Sequence, residues 1–78
     1  MKEKDLVEQI VKSLVDYPED ISLKVVEGEK STILELKVRS EDIGKIIGKK
    51  GRIAKAVRTI VSAVAVKNGR RVILEILD

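Results

Sequence analysis

Ile46-Ile47-Gly48-Lys49-Lys50-Gly51-Arg52 is the stretch from which the rest of the chain can be read. Two glycines three residues apart bracket two lysines, behind an isoleucine pair and ahead of an apolar run at helical spacing from Ile53 to Val66. Glycine lacks the Cβ that disfavours positive φ and keeps a second molecule away from the main chain. A tight turn opening into a helix points unpaired N–H groups and the positive end of the helix dipole outward, an arrangement that holds an anion. Two ammonium groups in the same turn make the expected anion a phosphate of a nucleic-acid backbone. The same glycine spacing also occurs where a glycine merely ends a helix, so the flanking chain must decide.

Upstream, Leu6, Val7, Ile10, Val11 and Leu14 recur at steps of three and four, which predicts an amphipathic helix over residues 5–16. Asp5 is placed to cap it with Glu8 three positions on, and Pro18 ends it by forcing Tyr17 out of the α region. Residues 21–27 and 31–38 then alternate with a period of two around Glu27-Gly28-Glu29-Lys30, the pattern of a β-hairpin. In the second strand Thr32, Leu34, Leu36 and Val38 share one face. Ser40-Glu41-Asp42 resembles a capped helix start, giving a short helix over 41–47 that Gly48 breaks. Gly51 or Arg52 opens the next helix, which runs to Val66. Lys67-Asn68-Gly69-Arg70-Arg71 is a turn, and 72–77 a last strand rich in β-branched residues and leucine.

The order is therefore α-β-β-α-α-β. Strands 31–38 and 72–77 are joined through two helices, so as neighbours they run parallel. The fold class expected is α+β, a three-stranded mixed sheet with three helices packed on one face. No internal repeat, linker or low-complexity segment interrupts it, and residues 1–78 read as a single domain.

Composition narrows the chemistry. Lys and Arg number 16 against 13 Asp and Glu, a net charge of +3, which permits a polyanionic partner without demanding one. With no cysteine and no histidine, thiol nucleophiles, disulfides and the usual zinc sites are absent, and no metal or cofactor is expected. Gly44-Lys45-Ile46-Ile47-Gly48-Lys49-Lys50 is one residue short of a P-loop and lacks its Ser/Thr. The remaining carboxylates, such as Glu35, Glu75 and Asp78, are scattered. An enzyme with a small-molecule substrate is not expected. No run approaches the 18 apolar residues of a membrane span and the N-terminus is no signal peptide, so a cytoplasmic location is expected. The single aromatic, Tyr17, provides no base-stacking platform of the kind an RRM, OB-fold or cold-shock protein needs.

The motif Ile46-Ile47-Gly48-Lys49-Lys50-Gly51, set between two helices of an α-β-β-α-α-β chain, resembles a KH domain of the type II, prokaryotic arrangement. The resemblance covers the whole chain. With Gly51-Arg52 and the run Val57-Arg58-Thr59-Ile60-Val61, it looks most like the small stand-alone bacterial KH proteins, KhpA-like in size and layout. It implies a Gly-x-x-Gly loop that grips single-stranded RNA backbone beside a groove for the bases, with low sequence specificity, in a post-transcriptional regulator or RNA chaperone. Carried onto this chain, it makes Gly48, Lys49, Lys50, Gly51 and Arg52 the backbone contacts. Ile47 and Ala54 floor the groove, with Ile43 as a further candidate. The family usually has a branched aliphatic residue where this chain has Ala54, which points to a shallower groove and leaves base preference open.

Two features fall outside that core. Arg70 and Arg71, in the loop before the last strand, lie either where a bound strand passes or as solvated turn charges. In the helix after the loop, Ala54, Val57, Val61 and Val64 form one buried face, and Ile53, Ala56, Ile60 and Ala63 a second stripe on its flank. The combined apolar arc of roughly 200° exceeds what one-sided packing needs. The stripe suits a homodimer, or a heterodimer with another KH protein. A small domain can also cover such a flank with its own first helix. The competing function is thus a protein-interaction module in which RNA binding is secondary.

Overall fold

A computed structural model describes residues 1–77. They form α1 (Lys2–Leu14), β1 (Ser22–Glu27), β2 (Thr32–Lys37), α2 (Ile43–Ile47), α3 (Arg52–Lys67) and β3 (Val72–Ile76), with 3₁₀ turns at Pro18–Asp20, Ser40–Asp42 and Lys49–Gly51. The expected order of elements is the one found. Asp78 lies outside the described residues.

β2 is the central strand, antiparallel to β1 and parallel to β3. Val25, Leu34 and Leu74 stand side by side across the sheet, and so do Leu23, Leu36 and Ile76. Alternation sends these side chains to one face. There Leu34 and Leu36 are wholly buried and Val72 and Leu74 nearly so. The helices cover this face with Val7 and Val11 of α1, Ile46 of α2, and Ala54, Val57, Val61 and Ala65 of α3. The opposite face carries the half-exposed Val26, Ile33 and Ile73 among charged neighbours. Glu35 and Glu75 are adjacent on this face, and no group of three potential metal ligands occurs among the described residues.

Helix ends differ from the expectation, and two buried acids explain why. α1 begins at Lys2, without the expected Asp5 cap: Met1 precedes the helix and no side chain caps it. The first turn is instead held from inside by Glu3, which is fully buried and accepts a 2.7 Å hydrogen bond from Arg70 Nη2. Glu3, Val7 and Val11 are spaced by four and line the same inner face. α1 also stops at Leu14, short of residue 16, because the chain turns extended at Val15. The N–H groups of Asp16 and Tyr17 then both donate to the Asp42 carboxylate at 3.0 Å.

Asp42 therefore does not act as an acid in an exposed first turn. Ser40 does not cap a helix either; its hydroxyl donates to Glu41, and residues 40–42 form a separate 3₁₀ turn before α2. Burial pushes the Asp42 carboxyl up, but the two backbone donors and the Lys45 ammonium outweigh it and hold it below its ordinary value. Lys45 is raised by its bonds to Asp16 and Asp42. The Asp42 contribution to stability is present above the ordinary carboxylate pKa and is lost as pH falls through its lower folded value. These contacts fasten the end of α1 to the segment that leads into the glycine loop. Tyr17 completes the junction, its ring covered by the Arg39 guanidinium at 4.0 Å.

Candidate nucleic-acid interface

α2 ends where Gly48 N–H closes onto Gly44 O at 2.9 Å. Gly48 then takes φ 76°, ψ 175°, a region essentially restricted to glycine. A Cβ at this position would stand 2.6 Å from Ile53 Cγ1. The first glycine of the motif is thus required by the fold itself, since α3 packs its first apolar side chain against it.

Gly51 presents a different case. It is left-handed at φ 73°, but a Cβ there would meet nothing within 4 Å. Its bare side faces open space, where another molecule can approach the main chain. Between the glycines, Lys50 is also left-handed at φ 57°, a conformation that costs a non-glycine residue about 1 kcal/mol. Such local strain gathers at functional sites. Gly51 N–H bonds to Gly48 O at 3.2 Å, which closes the turn.

This turn delivers the chain into α3, 16 residues long, whose N-terminus has no side-chain cap and no acid in its first turn. Lys49, Lys50 and Arg52 are exposed there. Among the described residues none of the three forms an ion pair. The arrangement concentrates three positive side chains and the positive helix end on one spot, with nothing negative to balance them.

The apolar candidates sit at different depths. Ile47 and Ile43 are half-buried beside the loop, Ile43 leaning on the core. Ala54 is 3% exposed and lines a small apolar cavity together with Ile46, Ile53 and Val57. Ile53, assigned by pattern to the outer stripe of α3, turns inward beneath Gly48 and packs on the core. The rest of that stripe is open: Ile60 is 47% exposed, with Ala56 and Ala63 exposed on either side. On the inner face Ala65 is the buried residue, and Val64 is only half-buried.

Arg70 and Arg71 diverge. Arg70 is tied to the buried Glu3. Arg71 remains exposed beside an open cleft shared with Ser62, Val66 and Val72. Three functional-looking contacts escaped the sequence reading: Glu3, Asp42 and Arg58. The four-residue spacing of Glu3 with Val7 and Val11 was a usable signal for the first. Arg58 carries no such signal: its Nε–H donates to the carbonyl of Leu74 on β3 at 3.1 Å.

The chain can be compared with known proteins at this point. The model of the KhpA/KhpB KH domain matches residues 4–76. Over 74 residues the chain is 62% identical to the RNA-binding protein KhpA of Borreliella burgdorferi, covering 95% of this chain and 90% of that protein. It is 61% identical over 74 residues to the RNA-binding protein KhpA of Clostridium perfringens, covering 95% and 99%. Among solved structures, an Aquifex aeolicus Era variant bound to GDP.AlF4- matches 96% of this chain with a TM-score of 0.63 at 25% identity. Era in complex with MgGDPNP and nucleotides 1506-1542 of 16S ribosomal RNA matches 95% with the same TM-score at 26% identity. This chain spans less than a third of either Era chain, 29% and 28%.

Proposed function

The chain belongs to the KhpA/KhpB family of KH domains, and on that footing we propose that it binds single-stranded RNA through the Gly48–Gly51 loop. The observation that carries this reading is the unbalanced charge at the uncapped start of α3, where Lys49, Lys50 and Arg52 have no acidic partner among the described residues. Phosphates dock on these cations and on the main chain at Gly51, while Gly48 shapes the turn. Ile47 and Ile43 offer the bases an aliphatic surface, with Ala54 supporting it. Lysine is a mobile point charge and no fork for base edges, so the loop grips the backbone and leaves specificity low. The footprint is about four nucleotides. Residues 1–78 act as one type II KH unit. Among the described residues no helix is long and apolar enough to cross a membrane, and the setting proposed is the cytoplasm, in post-transcriptional control or RNA chaperoning.

The reading requires unstacked bases, which an A-form duplex withholds in its deep, narrow groove. A fluorescence titration of one strand, alone and annealed to its complement, should show clear preference for the single strand. Equal affinity for both forms would reduce the loop to a non-specific charge patch.

A second reading has its own observation. Ile60, 47% exposed between exposed Ala56 and Ala63, forms an apolar stripe that neither α1 nor a loop covers. Small residues beside a large one suit close helix–helix approach. We propose pairing through this stripe with a second copy or another KH protein, which would also offset weak binding by a single short footprint through avidity. Sedimentation at tens of micromolar should give a dimer for the wild type and a monomer for Ile60→Asp. A monomeric wild type with no KH partner co-purifying would remove this reading. Dimerisation that survives Ile60→Asp but not Ile73→Asp would move the interface to the open sheet face.

A further inference from the structure

α2 has little to hold it by its own means, and the glycine loop hangs from its end. It has five residues, Ile43–Ile47, of which only Ile46 is buried. Isolated helices need about 12–15 residues to persist in water. Gly44 lowers the helical propensity further and packs on nothing, since a Cβ there would meet no atom within 4 Å. The turn that α2 carries is strained at Lys50, with φ 57°, and such a turn persists only where the surrounding structure fixes it. α3 holds the far end of the turn through Ala54, Val57, Val61 and Ala65 in the core. The near end needs a restraint from outside α2.

Asp42 supplies it. Its carboxylate is fully buried directly before α2 and accepts the N–H groups of Asp16 and Tyr17 at 3.0 Å each. Those donors stand just past the end of α1, so the end of α1 is joined to the start of α2. Lys45, within α2, closes the junction from the other side, reaching Asp42 at 3.3 Å and Asp16 at 3.1 Å. Ile43 and Ile47, four residues apart, share one side of the helix held in this way. Gly48 follows, about 9 Å along the axis from Asp42. A swing of α2 about its start would therefore displace the aliphatic surface and the phosphate turn together.

Resting on the single-stranded RNA reading above, we propose that Asp42 is a positioning residue for RNA: from a place no nucleotide reaches, it uses the end of α1 to hold α2 and the Gly48–Gly51 turn in the arrangement that takes phosphate. A turn found in that arrangement a tenth of the time binds about tenfold more weakly, although each contact is intact once made. Glu3 provides the contrast. It is a second fully buried acid, tied to Arg70 at the other end of α1, and it restrains no part of the loop.

The test compares Asp42→Asn with Glu3→Gln in the full chain, each at a temperature where its melting curve shows it folded. The asparagine keeps the shape but turns an amino group toward one of the two N–H donors. With a heptanucleotide of uridine, Asp42→Asn should bind about tenfold more weakly than the wild type, and Glu3→Gln within about twofold. The slope of log K against log salt should be unchanged in Asp42→Asn, because Lys49, Lys50 and Arg52 still meet the same phosphates. Hydrogen exchange should quicken at the Gly48 and Gly51 amides of Asp42→Asn while Val61 in α3 keeps its wild-type protection. Lys45→Met removes one strut at an exposed position and decides the matter if Asp42→Asn fails to fold: it should weaken binding by about threefold at unchanged slope. A slope reduced by about 0.7 in Lys45→Met makes Lys45 a phosphate contact and overturns the proposal. Wild-type affinity in a folded Asp42→Asn overturns it as well, and so does an equal loss in Glu3→Gln, which would trace the effect to general destabilisation. Failure of the wild type to bind the strand removes the RNA reading itself.

Discussion

Two basic glycine turns stand at opposite ends of α3, and they are not equivalent. At the far end Lys67, Arg70 and Arg71 flank Gly69, itself left-handed at φ 69°. Cations there lie at the negative end of the helix dipole, and Arg70 also reaches the buried Glu3 at 2.7 Å. Their placement is accounted for within the fold. At the near end Lys49, Lys50 and Arg52 oppose the positive end of the same dipole, each at a cost of about 0.3–1 kcal/mol, without an acid to offset it. Positive charge beside a glycine turn is therefore no mark of a site in itself. The informative case is charge that the fold does not need and is held against its own field, and only the Gly48–Gly51 turn meets that condition.

The largest effect should come from reversing the charge at the near turn. Lys49→Asp with Lys50→Asp should abolish binding to a short unstructured RNA while the circular dichroism spectrum stays that of the wild type, because both side chains are exposed. Retained wild-type affinity would erase the distinction between the two ends. The glycines should separate next. Gly48→Ala combines a strained backbone with a 2.6 Å approach to Ile53 and should lose about 2–3 kcal/mol of stability. Gly51→Ala meets only the left-handed penalty of about 1 kcal/mol, yet it should weaken RNA binding more than its stability loss explains. Equal urea midpoints for the two variants would show that Ile53 yields to the added methyl group.

At the far end Arg70→Ala should behave in the opposite way. It leaves the Glu3 carboxylate buried without its donor, which costs about 2 kcal/mol or roughly 10 °C in melting temperature. RNA affinity should change by less than about twofold when measured well below that melting point. A large loss of affinity at unchanged melting temperature would place Arg70 in the RNA path and leave Glu3 as a minor restraint.

The fold and the loop were legible in the sequence for a common reason: both rest on periodicity. Leu34 and Leu36 at a spacing of two, Val57 and Val61 at four, and Gly48 and Gly51 at three all announce their geometry along the chain. Contacts between distant segments carry no such mark. Asp42 resembles an acid at a helix start until Asp16 and Tyr17 arrive from 26 and 25 residues away. Nothing near Glu3 in the chain marks it as buried, because its donor, Arg70, is 67 residues further on. Arg58 belongs to the same class, since its partner is a main-chain carbonyl, which every residue possesses. The inward turn of Ile53 is hidden for a related reason: helical spacing assigns a direction around the axis but not what lies there, and Gly48 leaves room for Ile53.

The claim that unbalanced charge at the start of α3 exists for phosphate is tested most directly by the salt dependence of single-strand binding. Log K against log salt should fall steeply for the wild type. In Lys49→Ala with Lys50→Ala the slope should shrink by about 1.4, at about 0.7 for each lost contact. An unchanged slope would place the phosphates elsewhere and contradict the account.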